Sequence, residues 1–319
     1  MQLLLDTVLD DPLSLLAEAG GVLAAITGVE GSAYRPVGAA MAFCHDGRRT
    51  GYVSSGCIEE ALACEASKAA KEGRVRTIRY GRGSPWIDIR LPCGAGLDIT
   101  LWPSAGGRAV IGSAEALARR QAHSIHLPRT GIFDATLSEI APAAWHDETF
   151  ILPRIPPLRL AVFGTGIETV AFSRLAQAAG YSVETSSSDK AVLSALPDAR
   201  PYTSPFMIPS VEADPQTAVV LFFHDHDSEV PILRWALESQ AFWIGAQGSA
   251  RARDLRWEAL ASAGVGRASI ERLETRIGLI PSARDPQTLA ISVLADVTAA
   301  YKVRWFDSYF GARKAAEVA

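Results

Sequence analysis

Apolar positions along this chain repeat in two different ways, and the change falls near residue 158. Before it, short apolar runs at 22–26, 40–44, 50–53, 75–80 and 97–102 predict strands. His45-Asp46-Gly47 separates the second run from the third, and Asp-Gly favours a hairpin. Residues 12–19 predict a short helix that Gly20-Gly21 ends. Residues 57–72 repeat at helical spacing, with Ile58, Ala61, Leu62 and Ala69 on one face. Ser54-Ser55-Gly56 stands where an N-cap belongs, Glu59 and Glu60 suit the positive helix end, and Gly73 stops the helix. A mixed sheet with a helix is expected over residues 1–103. Residues 104–157 are broken by Pro128, Pro142, Pro153, Pro156 and Pro157, with one helix predicted at 113–121. That stretch reads as a connector with some structure of its own, not a third core.

From Leu158 strands and helices alternate. Strands are expected at 160–163, 181–185, 217–223 and 242–244, and helices at 167–179, 230–239, 249–263 and 286–301. Val170, Leu175 and Ala178 are the expected packing residues of the first of these helices. Strands alternating with helices at this spacing imply right-handed crossovers and a parallel sheet. The fold class is therefore α/β: an N-terminal mixed α/β domain (1–103), a connector (104–157) and a C-terminal Rossmann-like, doubly wound parallel sheet (158–319).

Composition narrows the function classes. Of the 319 residues, 48% are hydrophobic and 21% charged, enough for two real cores. A net charge of −4 argues against a broad nucleic-acid surface, though a local anion site is compatible with it. The first residues do not read as a secretory signal, and the dense apolar run at 218–223 is too short to span a bilayer. The four cysteines form no CxxC pair and are expected as free thiols in a cytoplasmic, non-membrane protein.

Four features carry candidate chemistry. The turn Gly164-Thr165-Gly166 follows a strand and opens a helix, which gathers backbone N–H groups where a phosphate binds well. Thr169 takes the place of the third glycine of a dinucleotide fingerprint. Neither Glu184 nor Asp189 is a clean match for the ribose-binding acid. The segment His224-Asp225-His226-Asp227 ends a strand at the edge where open α/β sheets bind ligands. These residues suit proton or metal chemistry, but alternate residues point opposite ways, so all four do not converge and no metal site is assigned. Gly248 and Ser249 open another helix with Arg251 beside them, which suits an anion, while Arg253 and Arg256 read as a solvated basic face. Cys57 stands at a helix N-terminus and Cys93 on a glycine turn, so both are candidates for reactive thiols. Cys44 and Cys64 read as core cysteines, Cys64 on the buried helix face.

Together these blocks resemble the XdhC and CoxI family, accessory factors of xanthine dehydrogenase and related molybdenum hydroxylases. The resemblance is carried by residues 31–41, Val53-Ser54-Ser55-Gly56-Cys57-Ile58-Glu59, Pro92-Cys93-Gly94, Phe163–Gly166, His224–Asp227, Ile244–Ser249, Ile277–Leu279 and residues 290–296, in that order. It implies a non-catalytic chaperone that binds molybdenum cofactor (molybdopterin) and assists its sulfuration with a cysteine desulfurase. Such a chaperone delivers the cofactor to an apo-hydroxylase of the xanthine dehydrogenase type. It implies cofactor contacts at Cys57, Glu59, Cys93, Gly164, Gly166, His224, Asp225, His226, Asp227, Gly248, Ser249 and Arg251, with the pterin phosphate at the glycine turn in a site shared by both domains. A homodimer is also implied.

The chain departs from the family pattern at Ser55, Ile167, Ser187, Ala250 and Pro281-Ser282-Ala283. Two other readings stand beside the chaperone: an NAD(P)-binding oxidoreductase with a degenerate Rossmann site, and an interaction scaffold whose ligand site has decayed.

Overall fold

The computed structural model describes residues 11–54, 56, 58–85, 91, 94–104, 107–131, 135–204, 211–225, 228–274 and 276–311. The chain divides into two compact units, Met1–Pro156 with Trp305–Ala319, and Pro157–Arg304.

The first unit is organised by a strand buried on both faces. Helix α1 (Pro12–Ala19) is capped by the Asp11 side chain, which accepts from the Ser14 N–H, and it leads into β1 (Gly21–Glu30). Strands β2 (Ala40–Cys44), β3 (Arg49–Gly51), β4 (Arg76–Gly81) and β5 (Gly96–Ser104) complete a sheet in the order β3-β2-β1-β5-β4. Every pairing in it is antiparallel, so the mixed sheet expected here is not what forms. The Asp46-Gly47 hairpin joins β2 directly to its antiparallel neighbour β3, with no parallel crossover.

Val22, Ala24 and Ile26 point to a core shared with helix α2 (Glu59–Glu72) through Leu62, Ala66 and Ala69. Leu23 and Ala25 point the other way, into a core with Leu13, Leu16, Trp102, Ile125 and Phe150. Continuous burial removes the alternation a half-exposed strand would show, which is why the run reads as uniformly apolar.

Residues 104–157, expected as a connector, supply much of that second core. They form α3 (Arg108–Ala118) and a four-stranded antiparallel sheet of β6 (His123–Pro128), β7 (Thr136–Ser138), β8 (Ala144–His146) and β9 (Thr149–Arg154), ordered β7-β6-β9-β8. The prolines that suggest breaks are tolerated at strand ends. Pro128 closes β6, and Pro153 lies beyond the residues of β9 that pair with β8. The Trp102 indole donates to the Pro128 carbonyl at 2.6 Å and ties the two sheets together. Trp305 onward, expected in the second domain, also belongs to the first unit.

The second unit is a five-stranded parallel sheet, ordered β12-β11-β10-β13-β14. Its strands are β10 (Arg159–Gly164), β11 (Ser182–Ser187), β12 (Arg200–Pro201), β13 (Thr217–Phe222) and β14 (Trp243–Ala246). Helices α4 (Gly166–Ala178), α5 (Lys190–Ala195), α6 (Glu229–Glu238), α7 (Ala250–Ser262), α8 (Arg267–Ile270) and α9 (Pro286–Tyr301) complete the unit. Both sheet faces are covered. Val219 and Leu221 pack toward α6 through Ile232 and Leu233, while Val220 and Phe222 pack toward α4 and α9 through Phe172 and Val293.

The order reverses between β10 and β13, which makes their carboxyl ends a topological switch point. Helix α4 buries Thr169, Phe172, Ser173 and Ala176, whereas Ala178 is exposed. The packing face is rotated from the one expected because two of its buried residues are hydroxylated, and Ser173 pairs with Thr185 at 2.8 Å.

Phe222 is fully buried, with its ring 5.2 Å from that of Phe172. Phe222→Ala should lower stability by about 3–5 kcal/mol in urea unfolding. Ile167→Ala, at a side chain 61% exposed, should stay within about 0.5 kcal/mol of wild type.

Candidate functional site

The glycine turn is built by exclusion of side chains. A Cβ on Gly164 would lie 2.4 Å from both the Phe222 carbonyl oxygen and the Thr169 hydroxyl, so β13 and α4 approach it as closely as they do only because it is glycine. Gly166 has φ +78°, a left-handed conformation that favours glycine. Thr169, in place of a third glycine, fills the space under the turn and donates its hydroxyl to the Thr165 carbonyl at 3.0 Å.

The end of β11 is tied into the same turn. The Ser187 hydroxyl donates to the Gly164 carbonyl at 2.6 Å and accepts the Asp189 N–H at 3.1 Å. Asp189 then accepts the Gly166 N–H at 3.0 Å with one carboxylate oxygen and the Ala191 N–H at 2.8 Å with the other, which also caps α5. The acid that sequence reasoning does not single out is therefore Asp189. Ser186-Ser187-Ser188 obscures it, because the distance along the chain gives no sign that the loop folds back onto the turn.

This geometry changes the electrostatics expected of the turn. The N-terminal end of α4 favours an anion, but a carboxylate of the chain itself already takes the Gly166 N–H. Glu168 adds a second carboxylate in the first turn, with its oxygen 3.6 Å from His224 Nε2. A phosphate bound at the Gly166 N–H would face Asp189 and Glu168. The arrangement offers hydrogen-bond acceptors instead.

The carboxyl ends of β10, β13 and β14 stand side by side, as the pairs Gly164–Phe222 and Leu221–Ala246 show. The turn, His224–Asp225 and Gly248–Ser249 thereby share one sheet edge. His224 is exposed, and Asp225 accepts from the Ser228 hydroxyl at 3.1 Å. His226 and Asp227 lie outside the described residues. Among the described residues, no three histidine, cysteine or acidic side chains come together as metal ligands.

Ser249 caps α7 by accepting the Ala252 N–H at 3.2 Å, and Arg251 is exposed. Gly248 has φ +157°, and a Cβ there would sit 2.9 Å from that of Ala252. Arg256 is not on a solvated face. It is almost fully buried, grips the buried Glu229 with two bonds of 2.7 and 3.0 Å, and donates to the Gln247 carbonyl at 2.8 Å. Helical periodicity points Arg256 inward beside Ala252 and Leu260, and its partner Glu229 lies on a different helix that local sequence does not reveal. Arg253 does lie at the surface, beside Asp254.

In the first unit, Glu59 is committed to its own loop. Its carboxylate accepts the Ser54 N–H at 2.8 Å, the Ser54 hydroxyl at 2.5 Å and the Ile58 N–H at 3.2 Å. Burial pushes its pKa up, but these three bonds outweigh burial and the net shift is downward. Glu59 therefore ties Ser54 and Ile58 to one carboxylate. Cys57 and Cys93 themselves lie outside the described residues. Cys64, expected on the buried face of α2, is exposed because Leu62, Glu65 and Ala66 occupy that face. Cys44 is half-buried, and burial raises its pKa.

Residues 160–297 match the XdhC Rossmann domain, and residues 15–81 match the XdhC and CoxI family. The chain is 35% identical over 284 residues to the molybdenum cofactor insertion chaperone PaoD of Escherichia coli, covering 89% of this chain and 84% of that one. It is 28% identical over 331 residues to a probable xanthine dehydrogenase subunit from Bacillus subtilis, covering 92% and 95%. Its fold is similar to that of a crystal structure described as a xanthine dehydrogenase from Bacillus halodurans, with a TM-score of 0.71, 23% identity and coverage of 94% and 98%.

Two outcomes follow from the site's geometry. Asp189 is held below the ordinary aspartate value of 3.8, first by the Gly166 N–H and then by those of Ala191 and Val192. A carboxyl lowered on folding stabilises fully above its unfolded pKa and loses that contribution as the pH falls through the folded one. The melting difference between wild type and Asp189→Asn should therefore be widest near neutral pH and close as the pH is taken below 3.8. Arg256→Ala strands Glu229 as a buried charge and should cost about 3–5 kcal/mol, much of it recovered in the double variant Arg256→Met, Glu229→Leu. Urea unfolding checks both variants.

Proposed function

This chain belongs to the XdhC and CoxI family, and we propose that it is a non-catalytic maturation factor for a molybdenum hydroxylase of the xanthine dehydrogenase type. In this reading it binds molybdenum cofactor, assists sulfuration together with a cysteine desulfurase, and hands the cofactor to the apo-hydroxylase. The observation that carries the reading is the 35% identity to an insertion chaperone over 89% of this chain, a span that includes both units.

The chemistry of the sheet edge supports it. A pterin ring carries amide and amino N–H donors, and Asp189 and Glu168 are carboxylates at the switch point able to accept them. When bound, the cofactor supplies a metal whose terminal ligand is exchanged for sulfur. The chain's part is to hold the ring, to keep the Cys57 loop anchored through Glu59, and to offer the thiols of Cys57 and Cys93. His224 is exposed, with its Nε2 3.6 Å from a Glu168 oxygen. Gly164, Gly166, Gly248 and Ser249 give the edge its close backbone approach, and Asp225, His226, Asp227 and Arg251 border it in sequence.

The competing NAD(P) reading meets a specific obstacle. A pyrophosphate on the Gly166 N–H has to displace Asp189 and lie against Glu168. Among the described residues no helix is long and apolar enough to cross a membrane. A cytoplasmic location, where the client is reached, and a homodimer complete the proposal.

The full-length protein mixed with molybdenum cofactor should carry pterin fluorescence through gel filtration at the dimer volume. Cys57→Ala and Cys93→Ala should lose most of the bound metal or its sulfuration while staying folded by circular dichroism. Equal retention by wild type and both variants would exclude the thiols. Micromolar quenching by NADH without pterin retention would turn the reading to the oxidoreductase.

A further inference from the structure

Two of the loops at the carboxyl edge of the parallel sheet are held to each other by one buried ion pair. The first loop runs from β13 through His224 and Asp225 to α6, and Glu229 is the first residue of that helix. The second runs from β14 through Gln247, Gly248 and Ser249 to α7, the helix that carries Arg256.

The Glu229 side chain is fully buried and that of Arg256 is 3% exposed. The guanidinium donates through Nε and Nη2 to the two Glu229 carboxylate oxygens, at 2.7 and 3.0 Å. Nη2 also donates to the Gln247 carbonyl at 2.8 Å. One side chain thereby joins the start of α6 to the residue that precedes Gly248.

The turn it reaches is anchored on both sides and open between them. The Gln247 N–H donates to the Leu221 carbonyl at 2.9 Å. The Ser249 hydroxyl accepts the Ala252 N–H at 3.2 Å, and the Ser249 carbonyl accepts the Arg253 N–H at 3.0 Å. Gly248 and Ser249 themselves are exposed. A Cβ on Gly248 would lie 3.2 Å from Arg256 Nη2, so the guanidinium packs against the glycine as well as bonding its neighbour. The path of Gln247–Ser249 therefore depends on where that guanidinium sits.

Stability alone does not call for this arrangement. The attraction within a buried ion pair only about repays its desolvation, and apolar residues of similar volume often serve as well. An apolar pair has no donor for the Gln247 carbonyl, and that directed bond falls on a loop at the ligand edge.

We propose that Arg256 is a positioning residue for the ligand site at the sheet edge. Clamped by Glu229, it fixes the Gln247–Ser249 turn relative to the His224–Asp225 loop, so affinity depends on a side chain too buried to touch the ligand. That the ligand is molybdenum cofactor rests on the proposed function, whereas the locking of the turn does not.

Two variants of the full chain separate the directed bond from the ion pair. Arg256→Lys keeps a charge beside Glu229 but lacks the planar fork that serves Glu229 and Gln247 together. Arg256→Met with Glu229→Leu removes both charges and keeps an apolar filling. Both should melt close to wild type. In both, the amides of Gln247, Ala252 and Arg253 should exchange with deuterium about tenfold faster, because the turn opens locally without global unfolding. Molybdenum cofactor, followed by pterin fluorescence through gel filtration, should be held about tenfold more weakly by both. A purely structural ion pair predicts instead that retention returns with the melting temperature in the double variant. Exchange equal to wild type in both variants would overturn the positioning role, and so would faster exchange with undiminished retention. If the double variant does not fold, Arg256→Lys alone reads the same outcomes. If wild type retains no cofactor, the chaperone reading falls, while faster exchange in the variants still upholds the locking of the turn.

Discussion

The second unit turns on the hydrogen bond from the Gly166 N–H to Asp189. It exists because Gly164 leaves no room for a Cβ between β13 and α4, which pulls the turn down onto the sheet. Ser187 then locks the end of β11 to the Gly164 carbonyl, and Asp189 is carried into position. One carboxylate closes the turn, caps the next helix and places a negative charge at the Gly166 N–H. A helix end that favours an anion thus already holds a carboxylate of the chain itself.

The first unit depends on a different constraint, the burial of β1 on both faces. A strand in that position needs two covering layers. Helix α2 supplies one, and α1 with the β6–β9 sheet supplies the other. The order of these layers explains why Arg35, Tyr52 and Arg154, far apart in sequence, line one cavity. Arg35 and Tyr52 leave the β1–β3 region, Arg154 ends β9, and Phe306 and Phe310 close the wall.

Much of the architecture is legible along the chain. The final helix starts and stops where Pro286 and the apolar period place it, because a proline at N1 and the Asp285 cap are local signals. The Asp46-Gly47 hairpin and the alternation of strands and helices after residue 158 are equally local. The sheet within residues 104–157 is hidden because prolines at strand ends look the same in sequence as prolines in loops. The burial of Arg256 is hidden because its partner Glu229 lies on another helix, and a charge reads as solvated until its partner is known. Cys64 misses the core by a single helical step, where Leu62 and Ala66 take that face.

The candidate site divides along the same line. Sequence alone determined the period of each element, the position of the glycine turn and the family blocks, because those depend on residues close together in the chain. It also placed Gly164, His224 and Ser249 at the carboxyl ends of strands, since alternation after residue 158 implies a parallel sheet. Tertiary structure alone decided which donors and acceptors meet. The folding of Asp189 onto Gly166 and the clasp of Arg256 on Glu229 both join residues from different elements. Their energies come from burial and desolvation, which no local pattern of residues encodes.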